Sequence, residues 1–397
     1  MADEARARRI LFIINSLEGG GAERVMCLVA AAVAEAEKHW RVTLATLDQA
    51  CDSYSLSERV TRIRLNAGGR SLLWSIIALR RLLRLERPDI VVSFLTRSNC
   101  AAIACSWMAG IPCVVSERVH TTSHLSSDRG RRLKKALIRC LYPYADRIVA
   151  VSQGIRNDLV EHYGVAATQV VTIHNPVDAE RIRRAALTTP PVDLPDDFIV
   201  AAGRLVPNKN FSMLLRSYAA SNIDSSLVIL GEGAERSRLE ALASELGVSD
   251  KVHFLGFAPN PHAILARARF YVSPSNAEGF PNAMIEAMCI GLPVVSTDCE
   301  SGPSEILQGG AGSPKVTELT KAKFGILVPP DDERAMSAAL QTMSEPRDRG
   351  YFAALARKRA NDFSLDRSLT EYRAVIDTSL FSSHARQTTG CDDLTFP

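Results

Sequence analysis

Two successive runs of short apolar, β-branched segments, each segment followed by an amphipathic helical pattern, constrain this chain more than any other feature. Residues 10–14, 42–46, 90–93, 113–116 and 148–151 make up the first run, and residues 198–202, 227–230, 252–255, 270–273 and 293–297 the second. Segments apolar on both faces and separated by helices are what buried parallel strands in βαβ units require. Two such runs in 397 residues predict two doubly wound α/β domains of ordinary size. The break between them falls at Ile173-His174-Asn175-Pro176-Val177-Asp178, where proline turns Asn175 away from helix, with Pro190-Pro191 following. The expected division is a first domain over 1–178, a second over 179–364, a helix over 365–381 expected to return to the first domain, and a disordered tail over 382–397.

Composition removes several classes. With 46% hydrophobic and 23% charged residues the chain is neither disordered nor fibrous. No apolar stretch approaches the roughly 18–20 residues a membrane-spanning helix needs, and the run after the basic N-terminus is too short for a signal peptide. A net charge of +3 argues against a nucleic-acid partner, leaving local clusters as the only basic surfaces. Nine cysteines scattered singly through apolar context read as small core residues in a reducing compartment, with no metal-ligand spacing.

The strongest local signal runs from Ser273 through Pro274-Ser275-Asn276-Ala277-Glu278-Gly279-Phe280-Pro281 into Asn282-Ala283-Met284-Ile285-Glu286, a strand end, a glycine loop and a helix start. Unpaired N–H groups at such a helix start suit a phosphate. One carboxylate, Glu278, can face a reacting sugar, and the other, Glu286, can accept two hydroxyl hydrogens from a ribose. The plainer alternative makes them a loop charge and a solvated helix residue. Gly19-Gly20-Gly21 follows the first strand and permits close backbone approach to a ligand, or simply a tight turn. It lacks the Gly-x-Gly-x-x-Gly dinucleotide pattern.

These motifs resemble the retaining glycosyltransferases of family 4, which have the GT-B fold: two Rossmann-like domains facing across a cleft. The likeness spans nearly the whole chain. It takes in Gly19 to Arg24, Gly203-Arg204-Leu205 with Lys209, Gly231-Glu232-Gly233, Phe254 to Phe257, the Glu278/Glu286 pair and Gly291 to Ser296. It implies transfer of a hexose or N-acetylhexosamine from a nucleotide-diphosphate sugar, UDP favoured and GDP possible, to a membrane-associated glycan or glycolipid. It also implies no metal and no resident cofactor, and no Asp-x-Asp diphosphate–metal motif lies in a suitable loop. By this resemblance Arg204 and Lys209 hold the diphosphate, and Glu278 lies at the donor sugar. Gly20, Gly21, Phe257, Gly279, Phe280, Pro281, Asn282, Ala283 and Glu286 line the donor, and His120 faces the acceptor. Asp298 and Glu305 are further candidates for the sugar hydroxyls.

A basic amphipathic pattern carrying Arg129, Arg131, Arg132, Lys134, Lys135 and Arg139 suits anionic lipid headgroups or a lipid-linked pyrophosphate, unless it is a solvated face. A second patch, Leu72-Leu73-Trp74-Ser75-Ile76-Ile77 with Arg80, Arg81 and Arg84, points the same way. The expected location is the inner face of the cytoplasmic membrane, held peripherally. An epimerase of the same architecture and a non-catalytic nucleotide-sugar-binding protein are the rival readings; the first has no use for a lipid-facing helix.

Overall fold

The computed structural model describes residues 7–66, 71–124, 131–190, 192–310 and 312–389. The chain forms two compact units: Met1–Val151, Ile155–His174 and Asp366–Pro397 make the first, Ser152–Gly154 and Asn175–Leu365 the second.

The first unit runs β1 (Arg9–Ile14), α1 (Gly21–Ala36), β2 (Arg41–Thr46), β3 (Val60–Arg64), α2 (Leu72–Glu86), β4 (Ile90–Phe94), α3 (Thr96–Ala109), β5 (Cys113–Glu117), α4 (Thr121–His124), α5 (Arg131–Leu141), β6 (Arg147–Ala150), α6 (Gln153–Tyr163) and β7 (Val170–Thr172). Its sheet is parallel throughout, in the order β3-β2-β1-β4-β5-β6-β7. Strands β4 and β5 are buried along their whole length, including the polar Ser93, Ser116 and Glu117 at their carboxyl ends.

The second unit continues with α7 (Ala179–Ala186), β8 (Phe198–Ala202), α8 (Phe211–Ser221), β9 (Ser226–Leu230), α9 (Arg236–Glu245), β10 (Val252–Gly256), α10 (Pro261–Leu265), β11 (Tyr271–Ser273), α11 (Asn282–Ile290), β12 (Val294–Thr297), α12 (Pro303–Leu307), β13 (Thr320–Lys321), β14 (Ile326–Val328), α13 (Glu333–Ser344) and α14 (Pro346–Ala360). Its order is β10-β9-β8-β11-β12-β14-β13, parallel except for the antiparallel edge strand β13. Strand order reverses between β1 and β4 in one unit and between β8 and β11 in the other. Ligands of open α/β sheets bind outside the strand carboxyl ends at such switch points, which directs attention to the exits of β8 and β11.

The last helix, α15, extends from Leu365 to Thr389. Tyr372, Val375, Ile376 and Leu380 enter the first unit's core beside Phe12, Ile14, Val92 and Phe94. Tyr372 stacks on Phe94 with ring centroids 6.2 Å apart, and Arg8 pairs with Asp377 at 3.0 Å. The expected disordered tail from residue 382 is therefore corrected: helix continues to Thr389. No proline or glycine interrupts the sequence from Ser382 to Thr389, and Gly390, the residue type best suited to terminate a helix, comes next. Residues 390–397 lie outside the described residues.

Candidate functional site

In the second unit the exit of β8 is shaped by glycines on its neighbour. Gly231, at φ +134°, would drive any Cβ into the carbonyl oxygen of Gly203, and a Cβ on Gly233 would strike that of Leu205. Their absence lets the two turns lie backbone to backbone, joined by Gly203 N to Leu230 O at 2.9 Å, Leu205 N to Glu232 O at 2.9 Å and Glu235 N to Leu205 O at 3.0 Å. This fixes the loop that carries Arg204, whose side chain is exposed and makes no ion pair among the described residues. A 3-10 turn, Pro207–Lys209, then brings Lys209 back over Gly203.

From the exit of β11 comes Glu278, half of a close ion pair with Lys209. Ser275 Oγ donates to the same Glu278 oxygen at 2.7 Å. The loop that holds Glu278 is built from behind: Ser301 Oγ donates to Gly279 O at 2.7 Å, Asn175 Nδ2 donates to Phe280 O at 3.2 Å and to Asn282 Oδ1 at 2.7 Å. Gly302, at φ +97°, leaves room for Pro281, whose Cδ stands 2.7 Å from where a Cβ would be. Helix α11 starts at Asn282 with Pro281 as N-cap and no side-chain cap hydrogen bond, which puts the positive end of its dipole at the end of the Glu278 loop. Glu286, in the second turn and 4% exposed, meets His262 Nε2 at 3.0 Å.

The second sheet's carboxyl edge thus gathers Arg204, Lys209, Glu278, Gly279, Asn282, Ala283 and Glu286. Phe257 stands exposed just past β10. Phe280 is corrected: its ring is buried and packs edge-on against Phe363 at 5.2 Å, so the side chain anchors the loop and does not line the donor. Asp298 and Glu305 are likewise engaged within the protein. Asp298 is buried and accepts from Lys315 Nζ at 3.3 Å and Val316 N at 2.9 Å, and Glu305 accepts from the amides of Gln153 and Gly154. His262 escaped the sequence reading, because nothing in the spacing of residues 262 and 286 shows that α10 and α11 bring them together.

Gly20, Gly21 and His120 belong to the first unit. Gly20 is the N-cap of α1, and the Glu23 carboxylate folds over it where a Cβ would stand. That explains the glycine and sets a carboxylate beside the turn. His120 lies three residues past β5, with Nδ1 3.9 Å from Asp158 Oδ2. Asp158 is buried and also accepts from Thr122 N at 3.1 Å, Thr122 Oγ1 at 2.5 Å and His162 Nδ1 at 3.3 Å. At the switch point of this sheet Arg97 is held by Asn15 at 3.2 Å and Asp48 at 2.5 Å, and Leu95 adopts φ +75° just before α3. Neither residue carried a motif. Glu117, buried at the end of β5, accepts from Tyr142 Oη at 2.5 Å and Arg118 N at 3.1 Å. Burial pushes its carboxyl up to about 6, against the pull of these hydrogen bonds.

The basic segment forms α5, packed through Ile138 and exposing Arg132, Leu133, Lys134 and Arg139. Arg129 and the side chain of Arg131 lie outside the described residues. Lys135 is half-buried. No helix among the described residues is long and apolar enough to cross a membrane.

Residues 19–181 match the family model described as Glycosyltransferase Family 4, and residues 189–359 that described as Glycosyl transferases group 1. Over 259 residues, 65% of this chain and 67% of the relative, the sequence is 34% identical to the N-acetylgalactosamine-N,N'-diacetylbacillosaminyl-diphospho-undecaprenol 4-alpha-N-acetylgalactosaminyltransferase of Campylobacter jejuni. A second Campylobacter jejuni protein, the GalNAc-alpha-(1->4)-GalNAc-alpha-(1->3)-diNAcBac-PP-undecaprenol alpha-1,4-N-acetyl-D-galactosaminyltransferase, is 26% identical over 93% of this chain and 98% of its own. The fold is similar to that of Anabaena HepE solved with UDP and glucose, with a TM-score of 0.74 over 94% of this chain and 100% of that one at 18% identity.

Proposed function

The chain belongs to glycosyltransferase family 4, the group 1 glycosyltransferases of GT-B fold, and on that premise we propose that it transfers a hexose or N-acetylhexosamine with retention from a UDP-sugar to a lipid-linked glycan. One observation carries the donor half of this reading: the exposed Arg204, paired with no acid among the described residues, stands in the same loop cluster as the Lys209–Glu278 pair and the start of α11. Cations and helix amides converging at a switch point are what a nucleoside diphosphate leaving group needs, and they act most strongly where water is scarce. The acceptor half is supported by the undecaprenol-linked acceptors named for the two Campylobacter jejuni relatives.

In the reaction the acceptor hydroxyl oxygen bonds to the anomeric carbon on the face from which the diphosphate departs. The carbon–oxygen bond to the β-phosphate breaks, and the departing phosphate oxygen takes the hydroxyl proton. Arg204 and Lys209 stabilise the charge that builds on the diphosphate, so the step needs no metal. Glu286, oriented by His262, anchors the ribose hydroxyls, Glu278 orients the donor sugar, and His120 faces the acceptor. Stacking at Phe257 and the backbone of the β10 exit hold the base. Peripheral attachment to an anionic cytoplasmic membrane surface through α5 brings the enzyme to such an acceptor.

The test is a thermal-shift series with UDP-, GDP- and ADP-sugars on the wild type and on Glu286→Ala. At about 100 times its dissociation constant a donor stabilises the protein by roughly 2.7 kcal/mol. A UDP-sugar shift that collapses in the variant upholds the reading, and a silent panel overturns it. Anomeric configuration in the product, read by NMR, decides retention.

A further inference from the structure

Eight of the thirteen exposed large hydrophobic side chains among the described residues lie on α2, α3, α5 and the turn that follows α5. Leu73, Trp74 and Ile77 stand out from the first two turns of α2, which packs inward through Ser75, Leu79, Leu82 and Leu83. The Cys105 thiol donates to Ile76 O at 3.3 Å and so sets the last turn of α3, with the exposed Trp107 and Met108, beside the second turn of α2. Trp107, 67% exposed, meets Tyr144 edge to face at 5.7 Å. Two aromatics in contact with each other and with water, continuing into a row of aliphatic side chains, form a patch that a monomeric protein does not leave uncovered without use.

Charge identifies the occupant. Arg80, Arg81 and Arg84 flank the apolar row on α2 and are exposed, and α5 adds Arg132, Lys134 and Arg139. Across α2, α3 and α5 the one acidic residue is Glu86, which lies 3.8 Å from Arg41. Tryptophan and tyrosine with aliphatics on one side and a cluster of cations on the other match the headgroup–acyl boundary of an anionic bilayer. We infer that the α2–α3 face of the first unit inserts Trp74, Ile77, Trp107 and Tyr144 into an anionic lipid leaflet, with α2 lying in the interface and its arginines on the headgroups. This goes beyond electrostatic attachment through α5, and it rests on the reading of the acceptor as lipid-linked.

The full chain, without nucleotide sugar, is sedimented with phosphatidylcholine vesicles that either lack phosphatidylglycerol or contain about 30% of it. Tryptophan emission is followed with brominated acyl chains as quenchers. Insertion predicts binding to the anionic vesicles, a blue shift and quenching. Trp74→Ser with Trp107→Ser should weaken partitioning at least tenfold at unchanged melting temperature. Leu73→Ser with Ile77→Ser, which keeps both reporters, should weaken it as well, and Arg80→Ser with Arg81→Ser about fivefold per cation. The proposal is overturned by absent binding, by binding without quenching, or by binding indifferent to the apolar substitutions. It is equally overturned if those substitutions instead split a dimer of this chain. The nucleotide-sugar thermal shift on the same protein reports separately whether the transferase reading stands.

Discussion

Lys209 is balanced by Glu278 and Arg204 by no described acid, so the two cations should respond differently to removal. Arg204→Ala takes away stabilisation of the leaving diphosphate alone, and kcat should fall roughly 10²–10³-fold. Lys209→Ala also leaves the Glu278 carboxylate facing the incoming phosphates, so donor affinity measured by calorimetry should drop more than in the Lys209→Ala/Glu278→Ala double variant, where the repulsion is gone. Glu117 makes a different prediction. Its carboxyl is raised from 4.5 to about 6 by burial, so the stability tied to its neutral form is fully present below pH 4.5 and is lost as pH rises through 6. The difference is about 2 kcal/mol, read as a urea midpoint that falls between pH 4.5 and 7 in the wild type and is flat there in Glu117→Gln. At this scale residue type was legible and pairing was not. The sequence marks Glu278, Glu286, Arg204 and Lys209 as charged groups at strand exits, but the Lys209–Glu278 pair joins positions 69 apart and His262–Glu286 joins two helices, contacts that only the fold sets. Phe280 misled because a loop aromatic beside a motif looks like ligand surface until Phe363 is seen against it.

Among the elements, the glycine turn after β9 carries the sharpest expectation. Gly231→Ala must leave φ +134° or push against Gly203 O, which displaces the Arg204 loop. The second unit should lose about 1–3 kcal/mol in calorimetric unfolding, and the nucleotide-sugar thermal shift should shrink with it. Asp332, whose carboxylate accepts from Ala335 N at 2.9 Å to cap α13, follows Asp331, which accepts from Asn210 and Asn276 of the loop cluster. Asp332→Ala should cost about 1 kcal/mol in the same calorimetric unfolding. The central strands were readable because burial on both faces writes an unbroken apolar run. Strands β3, β7, β13 and β14 were not, since β3 is a charged edge strand with Arg62 and Arg64, and the other three have two or three residues each. The end of α15 was misplaced for a related reason: a polar helix without periodicity looks like coil, and only the lack of a breaker before Gly390 argues otherwise.

For the whole molecule, the cysteines and tryptophans give two independent probes. Burial drives the thiols of Cys27, Cys100 and Cys299 up to about 12 and those of Cys105 and Cys289 to about 11, whereas Cys51 and Cys140 are exposed. A thiol reagent on the native protein should therefore modify Cys51 and Cys140 and spare the buried set until unfolding. Trp40, Trp74 and Trp107 all lie in the first unit, so tryptophan emission follows that unit while circular dichroism follows both. Deleting residues 366–397 removes Tyr372, Val375, Ile376 and Leu380 from the first unit's core, and the tryptophan-monitored transition should lose its cooperativity. The same discontinuity sets an order of events during synthesis. The ribosome makes most of the first unit early but must then extend the chain through residues 175–365, roughly 10–40 s at cellular rates, before the helix that completes it exists. The unit that begins first is finished last, and throughout that interval its unfilled groove beside Phe94 is open to chaperones and proteases.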